Sequence, residues 1–222
     1  EWSEWLPIAL ELLKRAGDSE ERVYAVMKAL DCTMYIMFIN NVGDENRRKV
    51  CREVFAELAA GKDPLHANGA LTPEAHHRKA AREKLSQPFR KYNVRGALTR
   101  RAEAAAFMGS GESMPPLVDT ATVEHVLPQS GQRVRVWRND FPGNEFSSCL
   151  DLLGNAILLN RAVDNSVAAS GFSAKKRAYL RYTRPSPLPS VQDVCRYESW
   201  KPNDVRNRTG VVAKTLAASL GL

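Results

Sequence analysis

The chain has 222 residues, 44% hydrophobic and 26% charged, which suits a globular fold with enough chain for one large core or two small ones. Its longest apolar stretches, such as "TMYIMFI", fall well short of the ~20 residues that span a bilayer, and neither end carries a signal pattern, so a membrane role is not expected. Lys and Arg outnumber Asp and Glu by 32 to 25, a net charge of +7 with a pI near 9.4. The excess gathers in "FRKYNVRGALTRR" (89–101), "RVRVWR" (133–138) and "KKRAYLRYTR" (175–184), which points to a polyanionic partner.

Four cysteines, Cys32, Cys51, Cys149 and Cys195, stand far apart with no CxxC pair. That spacing argues against a structural zinc site and a disulfide framework, and it suits a reducing cytoplasm. The chain opens on Glu1 rather than Met and reads as a piece of a longer protein.

Residues 1–108 read as helices. Apolar residues recur at helical spacing in "WLPIALELLKRAG", "RVYAVMKALDCTMYIMFI" and "VCREVFAELAAG". Gly17, Gly43 and Gly61 fall where helix ends are expected, and Asp18 and Ser19 mark a start. "TPEAHHRKAAREKL" opens with Thr72 at the N-cap and Pro73 at the first helical position. His76 and His77 fall on different faces of that helix and read as surface polar residues. "MGSGESMPPL" (108–117) then breaks the chain as a linker, dividing a helical domain over 1–112 from a second domain over 113–222. Its glycines lack the GxxxxGK[ST] pattern of a phosphate loop.

Beyond the linker, a short strand surrounds Glu124 and His125, followed by an irregular basic stretch and a short helix at 146–153. "NAILLN" (155–160) reads as a second strand. Helices from about Ser173 to Tyr182 and Asn203 to Ser219 close the chain, with a proline-rich turn (Pro185, Pro187, Pro189) between them. The fold class is α+β, mainly α-helical.

What raises this second half above an ordinary hairpin is the polar residues it carries. "TVEHVLPQ" holds Glu124 and His125 side by side, "LGN" brings Asn155 to the start of strand two, and "NRAVDNS" places Asn165 just beyond it. Pairing of the strands would bring His125 near Asn155. The arrangement resembles the HNH, or ββα-metal, nuclease motif, with His125, Asn155 and Asn165 in its three places. The ordered set of "VEHVLPQ", Trp137, "LGNAILLN", "DNS", "GFSAKKRAYL" and a late Trp200 with "VRNR" resembles the C-terminal nuclease domain of GmrSD-type restriction endonucleases, over about residues 120–216. Nickases that act with DNA-backbone phosphorothioation in phage defence are built similarly.

The resemblance implies a metal-dependent endonuclease that nicks or cleaves double-stranded DNA, phage or foreign, in a restriction system. His125 would take a proton from water, as imidazoles near neutral pKa do. One Mg²⁺ or Mn²⁺ ion, held by oxygen from Asn165 and Glu124, would stabilise the leaving oxygen. Asn155 would tie the loop to the hairpin and orient His125. Members of such families usually carry an upstream ParB-like nucleotide-binding domain. One site per chain makes nicking the default, and double-strand cleavage would need a homodimer or two events.

Lys175, Lys176, Arg177 and Arg181 are the candidate DNA contacts. On a helix they divide between a Lys175–Tyr179 face and an Arg177–Arg181 face, and the family pattern favours the first. Phe172, Tyr179 and Trp200 read as core packing, whereas Arg206 and Arg208 fit either a buttress or a DNA contact. The rival readings are a non-catalytic binding module with a decayed HNH fold, and an RNA-cutting HNH enzyme.

Overall fold

The computed structural model of the chain describes residues 3–110, 121–160, 170–182 and 188–222. The described residues are mainly helical, with one small sheet. The chain falls in two compact units, Glu1–Lys84 with Leu220–Leu222, and Leu85–Ser219.

In the first unit, α1 (Trp5–Ala16) turns Ile8, Ala9 and Leu12 inward at helical spacing. Gly17 ends it at φ +62, a conformation that costs glycine nothing. Ser19 then caps α2 (Glu20–Ile39), its hydroxyl accepting the Arg22 N–H at 3.3 Å. Val26 and Leu30 of α2 meet Val54 and Leu58 of α3 (Asp44–Ala59) in one apolar cluster with the α1 residues. α4 runs over Ala75–Lys84, later than the Thr72 cap predicts. The Thr72 N–H is already bonded to Gly69 O at 2.8 Å in the preceding turn, so that residue closes a loop rather than opening the helix. The His76 and His77 rings lie 3.9 Å apart, centroid to centroid, so they do not separate as ideal helix spacing predicts.

The second unit begins before the Gly/Ser/Pro stretch. α5 (Tyr92–Ser110) packs on the hairpin β1 (Ala121–His125) and β2 (Ala156–Asn160). Arg100 ties it to β1 through Ala121 O at 2.9 Å, and its buried Arg95 donates to Phe89 O at 2.8 Å and to Asp151 at 2.7 Å. Composition alone puts a boundary after α5, while these bonds gather α5 with the hairpin. Of the predicted linker, 108–110 complete α5 and the remainder lies outside the described residues, as do Pro185 and Pro187.

Between the strands run α6 (Arg135–Asp140) and α7 (Glu145–Leu150), and after them come α8 (Phe172–Tyr182), α9 (Pro189–Cys195) and α10 (Pro202–Leu220). α6 forms in the stretch that reads as irregular, because Trp137 is fully buried and anchors it. α9 forms where a proline turn is expected. Pro189 stands in its first turn, where its fixed φ and missing N–H do no harm. Strand alternation divides the sheet: Val123, Ala156 and Leu158 join one cluster, Ile157 and Leu159 a larger one with Leu127, Trp137 and Trp200.

The four cysteines are free thiols, and burial pushes Cys51, Cys149 and Cys195 up, away from the reactive thiolate. Among the described residues no helix is long and apolar enough to cross a membrane.

Candidate active site

The site lies where β1 stops and β2 begins. Glu124 stands opposite Ile157 and His125 opposite Ala156. Neighbouring strand residues point to opposite faces, so the two parts of the "EH" pair separate. His125 takes the face of Val123 and Ala156, and Glu124 takes the face of Ile157. Both are largely buried, at 8% and 5% exposure.

Asn155 holds the chain that leaves His125. Its backbone carbonyl accepts the Val126 N–H at 3.0 Å. Its side-chain oxygen accepts the Leu127 N–H at 2.6 Å and the Trp200 indole N–H at 3.3 Å. Its amide nitrogen donates to Leu127 O at 3.0 Å and Leu150 O at 2.9 Å. An asparagine amide has two donors and two acceptor positions, and here all four are used on a residue that is 0% exposed. Gly154 makes this possible: a Cβ there would run into the Val205 carbonyl and Thr209 of α10. Its N–H is bonded to the Thr209 hydroxyl at 3.1 Å.

α10 also sends Arg208 beneath the same turn. Its guanidinium donates to Gly154 O at 2.6 Å, Ala156 O at 2.9 Å and Asp193 at 2.8 Å, so Arg208 is a buttress. Arg206 pairs with Glu145 on the surface. The aromatic residues are packing: Phe172 stacks on Trp200 with centroids 5.5 Å apart, and the Trp137 indole donates to Ser170 O at 3.2 Å.

α8 supplies what the sequence did not disclose. Lys175 is 0% exposed; its ammonium pairs with the Glu124 carboxylate and donates to the His125 carbonyl at 2.8 Å. One turn along, the Tyr179 hydroxyl donates to the same Glu124 oxygen at 3.2 Å. Two expectations change. Lys175 lies inside the protein, away from any phosphate-facing surface. Glu124, expected beside a metal ion, sits on the face away from His125 with its charge already matched. Lys176 is half-buried and donates to Tyr197 O at 2.8 Å, whereas Arg177 and Arg181 are exposed.

The helical spacing had already separated these two faces; the missing information was which one met Glu124. Exposed Arg133, Arg135 and Arg138 form a further basic surface around α6, which sequence reading noticed only as charge. Asn165 lies outside the described residues. Among the described residues no three His, Cys, Asp or Glu side chains gather as a metal site. Of the oxygen donors expected for a divalent ion, Glu124 has one carboxylate oxygen taken by the Lys175 ammonium and the Tyr179 hydroxyl.

A family model described as GmrSD restriction endonucleases, C-terminal domain, matches residues 74–215, well over half of the chain. No curated protein and no solved structure matches it. The match takes in the hairpin, Asn155 and its buttress, and α8 together, and the chain belongs to the family of GmrSD restriction endonuclease C-terminal domains.

Proposed function

We propose that this chain is an HNH-type, metal-dependent DNA endonuclease in which His125 is the general base. One observation carries the reading: the peptide that follows His125 is held on both sides, its C=O by Lys175 and its N–H by the Asn155 carbonyl. Catalytic groups need such fixed placement. A neutral imidazole can take the proton of an attacking water, a contribution of ~10²–10⁴-fold. Asn155 acts through the backbone, tying the segment after His125 to the turn before β2.

We assign Asn165 to a hard divalent ion, Mg²⁺ or Mn²⁺, which when bound would neutralise phosphate charge and favour departure of the leaving oxygen. Exposed Arg177 and Arg181, with Arg133, Arg135 and Arg138, supply phosphate contacts without base readout. The substrate is double-stranded DNA of foreign origin, and a single site gives a nick. A pair of chains gives a double-strand cut, and a ParB-like domain of the longer protein gives target choice.

Incubation with supercoiled plasmid and Mn²⁺ tests the reading. The expected result is nicked circles that disappear in EDTA. Retarded but uncut plasmid contradicts an enzyme and favours a binding module, and undiminished cleavage in EDTA contradicts the metal.

A further inference from the structure

We propose that Lys175 is a positioning residue for His125, with Glu124 and Tyr179 as the device that holds its ammonium in place; this rests on the nuclease reading above. The inference begins from a cost. Ionic groups taken out of water lose several kcal/mol each, and a buried pair often does no better than apolar side chains of the same size. Apart from Thr122, the Glu124 face of the hairpin is apolar, with Ile157 and Leu159 beside Val126, Leu127 and Tyr179. A hydrophobic pair would complete that core at least as well.

What an apolar pair cannot provide is a donor for the His125 carbonyl. The strand ladder ends at the His125–Ala156 pair, and that carbonyl turns to Lys175 at 2.8 Å. The next N–H, of Val126, is held by Asn155 O at 3.0 Å, so one peptide plane is gripped from both sides. Glu124 sits one residue before His125, on the opposite face. Its carboxylate therefore reaches the ammonium without approaching the imidazole. Tyr179, one helical turn beyond Lys175, donates to the same carboxylate oxygen. Together the three side chains hold the peptide that follows His125, and with it the direction of the ring.

The test compares four full-length proteins by melting curve, DNA affinity and single-turnover cleavage: wild type, Lys175→Met, Glu124→Gln with Lys175→Met, and Tyr179→Phe. Lys175→Met strands a carboxylate and should melt about 10 °C lower. The double variant leaves no buried charge at this site and should melt within a few degrees of wild type. It should still cleave about 100-fold more slowly at unchanged DNA affinity, the scale of loss that accompanies a misplaced catalytic group. Tyr179→Phe removes one buried hydrogen bond and should melt only a few degrees lower, with wild-type affinity and several-fold slower cleavage. A wild-type rate in either the double variant or Tyr179→Phe overturns the proposal and leaves the pair as scaffold alone. Absence of cleavage by the wild type overturns the nuclease reading and this proposal with it.

Discussion

Asn155 holds four groups of its surroundings at once, the Leu127 N–H and C=O, the Leu150 C=O and the Trp200 N–H. Each buried donor or acceptor left unmade costs ~1–3 kcal/mol. Asn155→Ala should therefore lower stability by at least ~3 kcal/mol in a denaturant titration, and a shift under ~1 kcal/mol would show that the four bonds matter little. This residue was legible because "LGN" immediately precedes an apolar strand and an asparagine there needs partners. Glu124 was not. Beside a histidine in the sequence it reads as a second ligand, but the two-residue period of a strand turns it the other way. Which element fills that other face is decided 51 residues later in the chain, at Lys175, beyond the reach of local pattern.

Helix α8 shows what periodicity does and does not tell. Spacing separates Lys175 and Tyr179 from Arg177 and Arg181, yet both faces carry cations, so neither declares itself the inner one. Packing against Glu124 decides: the first pair is buried, the second exposed. Arg177→Ala with Arg181→Ala should weaken binding to all DNA sequences alike and flatten the slope of log affinity against log salt by about two units, about one per phosphate contact. An unchanged slope across a salt series would mark this face as solvated surface only. The long helices α1, α2 and α3 were legible because several turns repeat their apolar spacing. α6 and α9, with 6 and 7 residues, are too short to show a period, and they form because Trp137, Val191 and Val194 are buried.

Across the whole chain, the net charge of +7 divides into two populations. Arg95, Lys175 and Arg208 are buried and bonded to Asp151, Glu124 and Asp193, so they face the interior and not DNA. Arg133, Arg135, Arg138, Arg177 and Arg181 are exposed, and the DNA reading depends on them. A count of charges in the sequence cannot make that division, because burial depends on partners far along the chain. The α+β, mainly helical class was legible, and so was the family, from blocks in the order that the match over 74–215 covers. The central claim is that His125 performs the chemistry rather than supporting the fold or holding DNA. Its most direct test measures plasmid nicking and DNA affinity side by side for the wild type and His125→Ala. The account predicts a rate at least ~100-fold lower in the variant, the contribution of a general base, with affinity within about twofold of wild type. A His125→Ala protein that nicks at the wild-type rate would contradict it.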